Sequence, residues 1–316
     1  MPHHAHGKII LMGEHAVVYH HKALALPLPS LDVNVGIKPS QKMRLLSKLY
    51  QGELAQAPLA LAPIKTLITK LKQHLELSNI TVEINSKIPI EAGFGSSAAI
   101  AGEITEAMYR YKQRPLDETT KFKWIQTSET IAHGKPSGID TWATQAQQAL
   151  VYQKKQPPQF LSLNLHGFLL IGDTGIKSST KTCIDIVAKH YQSDLGKNHI
   201  KALGQLSESA IKACQRQDLM ALGRDMKQAQ KHLQKLDLST KKIDQWLEMA
   251  KQHALGAKIS GAGRGGAIIA LCNDKNKARK IQTLWQESNL KECYIIDLKA
   301  VSYESHSEST HQYCLD

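Results

Sequence analysis

The chain has 316 residues, of which 42% are hydrophobic, and it carries a formal net charge of +12 at pH 7. This length and apolar content indicate a globular protein with two domains or one large domain. No stretch approaches the roughly 18 uninterrupted apolar residues that cross a bilayer, so no membrane partner is expected. The lysines are scattered among glutamates without interleaved aromatic residues, so nucleic-acid binding rests on net charge alone and is not expected.

Location and redox chemistry follow from simple sequence features. The N-terminal Met-Pro-His-His-Ala-His lacks the order of basic, apolar and small residues that marks a signal peptide, which predicts a cytoplasmic protein. The five cysteines are widely spaced and form no Cys-x-x-Cys pair, so neither a disulfide framework nor a zinc knuckle is indicated. The sequence leaves the oligomeric state open, with a homodimer as one alternative.

The first half of the chain mixes strand-like runs with helices. Alternating or continuous apolar residues predict strands, and a run rich in Ala, Glu, Met and Ile predicts a helix from about 98 to 111. The predicted strands are 8–12, 32–37, 81–84 and 149–152.

The second half begins with a predicted buried strand over 168–172 and is then mainly helical. Three segments keep apolar residues at helical spacing, at 200–214, 219–233 and 243–254. Strands are predicted again at 267–271 and 294–298, with a helix from about 276 to 287 between them. The pattern predicts an α+β protein with domains at 1–165 and 166–316 and a cleft between them.

A small-residue loop, Gly93-Phe-Gly-Ser-Ser-Ala-Ala99, joins a predicted strand to a predicted helix. Gly93 and Gly95 permit a sharp turn and a close approach to a ligand, and Ser96 and Ser97 can cap the helix or offer hydroxyls to a metal. An anion at a helix N-terminus meets unpaired N–H groups and the positive end of the helix dipole. The loop therefore suits a phosphate, although an ordinary capped turn remains the alternative.

Three further segments carry residue types that phosphoryl transfer needs. In the first, Gly7 to Tyr19, a strand bears Lys8 and delivers Glu14 and His15 into the following turn. Taken singly, Lys8 is more typical of a surface lysine, and His15 of a hydrogen-bonded core or loop histidine.

The second segment runs from Glu129 to Asp140 and has a carboxylate on each side of a Pro-Ser-Gly turn. Glu129 suits a hard cation such as Mg²⁺, whereas Asp140 could also be a helix N-cap. The third segment, Lys258 to Gly266, is a second glycine-rich loop, and this density of glycine favours close approach to a ligand or to another backbone.

Together these blocks resemble the GHMP kinase family, and within it the mevalonate kinases. The loop at Gly93 resembles the family's phosphate loop, and the Lys258 to Gly266 loop resembles its third glycine-rich motif. The resemblance implies a two-domain GHMP kinase fold with the active site in the interdomain cleft. It also implies ATP-dependent phosphorylation of the mevalonate 5-hydroxyl to 5-phosphomevalonate in isoprenoid biosynthesis, with ATP and Mg²⁺ required.

The resemblance also implies a role for individual residues. Asp140 would orient or deprotonate the substrate hydroxyl, and Lys8 would offset charge at the transferring phosphoryl group. Ser97 and Glu129 would hold the metal ion, with Ser96 as the alternative hydroxyl. The mevalonate or phosphate end of the cleft would be lined by Glu14, His15 and Ser260. The residues expected to bind ATP are Gly93, Gly95, Ser96, Ser97, Ala98, Gly261 and Gly263.

The chain departs from the family pattern at some positions, and several functions remain open. Glu91 and Arg264 stand where the family has glycine. The chain could also be a mevalonate-3-kinase, a phosphomevalonate kinase, against which His15 argues, or a non-catalytic metabolite sensor of the same fold. A sensor would be expected to lack a catalytic residue, and none is missing here.

Overall fold

The computed structural model describes residues 5–134 and 136–299. Helices and strands are mixed along this range, which confirms the predicted α+β class. The strands are β1 (His6–Met12), β2 (Ala23–Pro39), β3 (Arg44–Leu46), β4 (Gln51–Glu53), β5 (Ile80–Ser86), β6 (Ala149–Tyr152), β7 (Gln159–Leu161), β8 (Phe168–Asp173), β9 (Gly256–Ser260), β10 (Ala267–Cys272) and β11 (Glu292–Asp297).

The α-helices follow the predicted periodicities closely in the second half of the chain. They are α1 (Ala62–His74), α2 (Ser96–Tyr111), α3 (Glu118–His133), α4 (Ile139–Ala143), α5 (Thr180–His190), α6 (Asp194–Gln215), α7 (Leu219–Lys235), α8 (Lys241–Ala250) and α9 (Lys275–Glu287). Short 3-10 helices occupy Ala16–Tyr19, Leu54–Gln56 and Leu59–Leu61. Among the described residues, no helix is both long and apolar enough to cross a membrane.

The described chain forms two compact units, and its first strands contribute to both. The first unit contains the residues up to Lys8 together with Pro27–Gln145, and the second contains Ile9–Leu26 and the residues from Ala146 onward. The domain boundary proposed at residue 165 and the cleft proposed between the domains stay predictions.

In the first unit, β5 is paired on both sides. It runs antiparallel to β2, from Val33 opposite Ser86 to Pro39 opposite Ile80, and parallel to β3, which pairs in turn with β4. Ile80 and alternate residues of β5 are buried, as expected for a strand with one face on a core. Helices α1, α2 and α3 contact one another, and α2 also contacts β5 of this sheet. These contacts position the phosphate loop, which lies between β5 and α2.

The second unit contains an antiparallel sheet in the order β11-β8-β10-β9. Every residue of β10 is buried, because the strand is apolar throughout and lies between two neighbouring strands. The three predicted helical segments correspond to α6, α7 and α8, and most of the apolar residues that repeat at helical spacing are buried. A separate pairing joins the first residues of β2 to β6, and β6 to β7.

The core of the second unit depends on Trp285 of α9. Its side chain is fully buried, and its indole N–H donates to the Trp246 carbonyl at 2.7 Å. Gly172 of β8 leaves room for the ring, since a Cβ there would lie 3.0 Å from two of its carbons. We expect Trp285→Ala to lower the free energy of unfolding by about 3–5 kcal/mol, because it leaves a large cavity in the core. Thermal unfolding followed by far-UV circular dichroism measures this.

The matched control is Leu195→Ala on α6, because Leu195 is 68% exposed. It is expected to stay within about 0.5 kcal/mol of the wild type. A loss as small as this for Trp285→Ala would show that the ring does not support the core.

Candidate functional site

Strand β1 fixes Lys8 against the phosphate loop through both backbone and side chain. The Lys8 backbone N–H donates to the Phe94 carbonyl at 2.9 Å, and its ammonium group donates to the Gly93 carbonyl at 3.1 Å. The Lys8 side chain is only 4% exposed. No spacing in the sequence connects Lys8 with the loop, but the fold brings them into direct contact.

The same ammonium group pairs with Asp140. Lys8 Nζ lies 2.9 Å from Asp140 Oδ1, and the Asp140 side chain keeps 38% of its surface exposed. Gly138, not Asp140, is the N-cap of the short helix α4. The structure therefore brings the two residues proposed as catalytic into contact and gives Asp140 a role other than capping.

The phosphate loop has no room for a larger residue at Gly95. This residue has φ 75° and forms the N-cap of α2, where no side chain caps the helix. A Cβ at Gly95 would lie 2.8 Å from Thr144 Cγ2 and 3.0 Å from two carbons of the Lys8 side chain. Ser96 and Ser97, expected as capping residues, instead form the first turn of α2. Their N–H groups and that of Ala98 precede the first intrahelical donor, as an anion site requires.

Glu129 lies buried on α3 beside this turn. The Ser97 side chain lies beside its carboxylate, and His133 Nε2 lies 3.8 Å from Glu129 Oε2. Burial is the main cause that raises the pKa of Glu129; the nearby Ser97 side chain opposes it, and the charge of Asp140 adds to it. The other oxygen, Oε1, is buried and has no hydrogen-bond partner among the described residues.

These groups fit a magnesium ion. An unpartnered buried carboxylate oxygen is costly unless a cation or another donor reaches it. Mg²⁺ binds few protein oxygens, usually one or two carboxylates, and takes water and phosphate for the rest. Glu129 and Ser97 offer such oxygens, one from a carboxylate and one from a hydroxyl.

In the second unit, the turn after β1 is strained at His15. This residue has φ 60° and ψ −45°, and the Ala16 N–H donates to the Glu14 carbonyl at 2.7 Å, which makes His15 the centre of a γ-turn. Such a turn is rare for a residue with a side chain and persists only when its surroundings fix it. The His15 ring is buried, with Nε2 2.9 Å from the Ala262 carbonyl.

Burial also sets the protonation state of His15. It lowers the pKa of His15 to about 4, with the Lys258 charge lowering it further and the Ala262 carbonyl opposing. The ring is therefore neutral at pH 7. Because a carbonyl can only accept a hydrogen bond, we assign the proton to Nε2, which leaves Nδ1 as an acceptor.

Glu14 pairs with Lys258, and both side chains are fully buried. Burial raises the pKa of Glu14 against the opposing charge of Lys258, and burial lowers the pKa of Lys258 against the charge of Glu14. The sequence singled out Glu14 but assigned no role to Lys258. The two residues are 244 positions apart, and no spacing or periodicity connects them.

The remaining candidates lie at the second glycine-rich loop. The Ser260 hydroxyl accepts from the Ile10 N–H at 3.1 Å and donates to the Ile10 carbonyl at 2.7 Å, so it joins β9 to β1. Gly261 and Gly263 have φ of 81° and 87°. A Cβ would meet nothing within 4 Å at Gly261, but would lie 2.5 Å from the Leu238 carbonyl oxygen at Gly263. Their assignment to ATP and substrate stays a prediction.

The two departures from the family pattern share one backbone conformation. Glu91 and Arg264 both have φ 58°, the left-handed region that glycine adopts without strain. The Arg264 guanidinium donates to the Asp237 carbonyl at 3.0 Å. Both positions thus have a backbone conformation that glycine adopts readily, although each carries a charged side chain.

Comparison with known proteins identifies the family. The model of the GHMP kinases N terminal domain matches residues 62–146, and that of the GHMP kinases C terminal domain matches residues 210–289. Together they cover more than half of the chain. The chain belongs to the GHMP kinase family. This confirms the resemblance inferred from the motifs, and GHMP kinases use ATP.

Individual GHMP kinases are similar over nearly the whole chain. The mevalonate kinase of Aeropyrum pernix is 28% identical over 301 residues, which cover 90% of this chain and 92% of the relative. The solved mevalonate kinase of methicillin-resistant Staphylococcus aureus is 28% identical, with a TM-score of 0.73 over 93% of this chain and 97% of that one. The L. major mevalonate kinase in complex with R-mevalonate has a TM-score of 0.79 over 94% and 95%, and at 22% identity it shows the shared fold.

The contact between Gly95 and Lys8 predicts the cost of a single methyl group. We expect Gly95→Ala to destabilise the protein by about 2–4 kcal/mol, because it combines a left-handed φ with a clash against Lys8 and Thr144. Gly261→Ala is the control, since Gly261 has φ 81° but a Cβ there meets nothing within 4 Å. It should lose only about 1 kcal/mol, the backbone part of the cost. Equal losses in thermal unfolding would contradict a steric role for Lys8.

The low pKa of His15 predicts a pH dependence of stability. An unfolded histidine takes up a proton near pH 6.5, whereas folded His15 does so at about pH 4. The unfolded state therefore binds more protons between these values, and stability falls as the pH is lowered from 6.5 to 4, by about 3 kcal/mol in total.

The variant His15→Gln is expected to remove this part of the slope, because glutamine does not titrate and can still donate to Ala262. Urea unfolding at pH 7, 6, 5 and 4 measures the difference between the two proteins. His166→Gln, at an exposed position, is the control and should keep the wild-type slope. A His15→Gln curve parallel to the wild-type curve would contradict a neutral buried imidazole.

Proposed function

We propose that the protein transfers the γ-phosphoryl group of ATP to the 5-hydroxyl of mevalonate and releases 5-phosphomevalonate and ADP. The observation that carries this proposal is the contact of Lys8 with both Asp140 and the phosphate-loop carbonyl of Gly93. Support for mevalonate as the acceptor comes from relatives named mevalonate kinase, similar over nine-tenths of the chain.

Asp140 is suited to receive the acceptor hydroxyl. Its carboxylate is held by Lys8 at one oxygen, and more than a third of the side chain remains exposed. A fixed carboxylate accepts a hydrogen bond from an alcohol and can take its proton as the bond to phosphorus forms. Orientation of the hydroxyl is the larger part of this role, because phosphoryl transfer depends mainly on positioning and charge stabilisation.

Lys8 is suited to offset charge on the transferring group. An ammonium group has three donors, and among the described residues two of them are directed at Gly93 and Asp140. The remaining donor is available to a phosphoryl oxygen. Because the side chain is nearly buried, this charge is poorly screened by water.

The start of α2 and Glu129 would serve the phosphates and the metal ion. The N–H groups of Ser96, Ser97 and Ala98 offer a site for phosphate oxygens. Glu129 and Ser97 would hold Mg²⁺, which when bound neutralises charge on the phosphates. Ser97 is favoured over Ser96 because its side chain lies beside the Glu129 carboxylate and influences its pKa.

At the acceptor end, His15 would accept a hydrogen bond from mevalonate through Nδ1. The Glu14 side chain is buried against Lys258, and the Ser260 hydroxyl is hydrogen-bonded to the backbone of Ile10. Both residues would therefore act at the acceptor end by fixing the conformation of the backbone. A phosphomevalonate kinase needs positive charge to bind the phosphate that its acceptor already carries. The turn at His15 offers a neutral imidazole, and the charge of Lys258 is already neutralised by Glu14.

A metabolite sensor and a mevalonate-3-kinase have less support. A non-catalytic sensor has no need of the Lys8–Asp140 contact, and mevalonate-3-kinase activity would require a different hydroxyl at Asp140. The cytoplasmic location, the homodimer and the absence of a nucleic-acid partner stay predictions from the sequence.

A coupled assay of ADP release tests the proposed function. The protein is given ATP and Mg²⁺ with mevalonate, phosphomevalonate, homoserine or galactose in turn, and the phosphorylated product is identified by phosphorus NMR. We expect turnover of mevalonate above the other three, and a loss of about 10²–10⁴ in kcat for Asp140→Asn, which cannot take the proton.

Asp32→Asn is the matched control for Asp140→Asn. Asp32 also lies 2.9 Å from a lysine, Lys87, and its side chain is 39% exposed, but it lies outside the proposed site. It should keep the wild-type kcat. Absence of mevalonate turnover, or full activity of Asp140→Asn, would refute the assignment.

A further inference from the structure

The contact between Lys258 and Glu14 is the most deeply buried pair of opposite charges that the described residues contain. Neither side chain is more than 1% exposed. Lys258 also donates to the Ile259 carbonyl at 2.6 Å, whereas Glu14 Oε2 is buried without a hydrogen-bond partner among the described residues. The proposed phosphoryl transfer makes no direct use of this pair.

Stability alone does not explain such a pair. Removing two charges from water is costly, and well-packed uncharged residues of similar volume are often as stable or more stable. One oxygen of the Glu14 carboxylate also has no hydrogen-bond partner within the described part of the chain, which adds to the cost. The pair is better explained by what it holds in place.

The pair holds the strained turn at His15. Glu14 supplies the carbonyl that closes the γ-turn, through the Ala16 N–H at 2.7 Å, and its side chain is fixed by Lys258. Without such constraints, His15 would relax from φ 60° to an ordinary backbone conformation.

The same lysine also fixes the loop that receives the His15 ring. Lys258 binds the Ile259 carbonyl, and the Ile259 N–H donates to Gln230 Oε1 at 3.0 Å. The strand that carries Lys258 leads directly to Ala262, whose carbonyl accepts from His15 at 2.9 Å. The turn and the loop are thus joined twice, once by the ion pair and once by the imidazole.

We propose that Lys258 is a positioning residue that, through Glu14, holds the His15 imidazole so that its Nδ1 faces the acceptor substrate. The inference rests on the proposed function for its kinetic part. The buried ion pair then serves to position the substrate. Replacing both charged residues should restore the stability that a single replacement removes, but not the affinity for the substrate.

The test compares Lys258→Met with the double variant Lys258→Met/Glu14→Gln. In the single variant, the buried Glu14 carboxylate no longer has the positive charge of Lys258 to offset its desolvation. We therefore expect Tm to fall by about 10 °C at pH 7. This loss should shrink as the pH is lowered, because the buried carboxyl of Glu14 takes up a proton. The double variant carries no buried charge at this place and should regain the wild-type Tm.

The kinetic readout separates positioning from structure. We expect the double variant to keep a KM for mevalonate raised about tenfold or more, with a smaller change in kcat and in the KM for ATP. Lys291→Met is the control, because it removes a lysine 3.2 Å from the buried Asp173 carboxylate in the same unit. Its KM for mevalonate should stay within about twofold of the wild type.

A second readout does not depend on activity. In protein labelled with ¹⁵N-histidine, His15 of the wild type should give the signature of a single Nε2–H tautomer, assigned by its absence in His15→Gln. The double variant should give a mixture of tautomers, because the turn is no longer fixed.

The outcomes distinguish the two proposals. A wild-type protein that does not turn over mevalonate refutes the proposed function, and the tautomer measurement then decides the inference alone. A double variant that regains Tm, the KM for mevalonate and the single tautomer overturns the inference, because the pair would then be structural only.

Discussion

The buried ammonium group of Lys8 is the interaction on which the proposed catalytic arrangement depends. It binds the Gly93 carbonyl and the Asp140 carboxylate at once, so β1, the phosphate loop and α4 meet at a single nitrogen atom. A nearly buried ammonium group without oxygen partners would be costly, which makes the loop conformation a condition for the lysine. The reverse also holds, because the Lys8 stem occupies the space beside Gly95. The conformation of the phosphate loop and the position of the Lys8 ammonium group therefore depend on each other, and neither can be altered alone.

Each unit contains one lysine–carboxylate contact at a proposed site, and exposure divides their roles. The carboxylate of Asp140 is open to solvent on one side, so a substrate can reach it. The carboxylate of Glu14 is sealed with Lys258, so it can act only through the backbone and side chains that it holds. The lysine–carboxylate contact thus takes part in catalysis at Asp140 and fixes the surrounding backbone and side chains at Glu14. The two roles differ because of burial, not because of residue type.

Much of the fold could be predicted from apolar periodicity, because the long helices and the buried strands of the second half carry it clearly. For strand β2, periodicity predicts only 32–37, since Pro27 and Pro29 argue against a strand, yet the structure extends it over Ala23–Pro39. For the site, resemblance to a family, not spacing, suggested which residues act together. The pairing of Glu14 with Lys258 could not be predicted, because contacts between distant segments depend on how the chain returns on itself.

The division of the first 26 residues between both units has a consequence for how the protein could be divided. Residues Ala23–Ala25 pair with Leu150–Tyr152, although most of the chain between them belongs to the first unit. A fragment ending at residue 145 would therefore expose an unpaired strand edge, and its remainder would lack a strand of its own sheet. Neither of the two parts produced by a cut at residue 145 contains all the strands that its unit needs. Separation of the two units as independent proteins would require a rearranged chain order, in which residues 9–26 are joined to the C-terminal part.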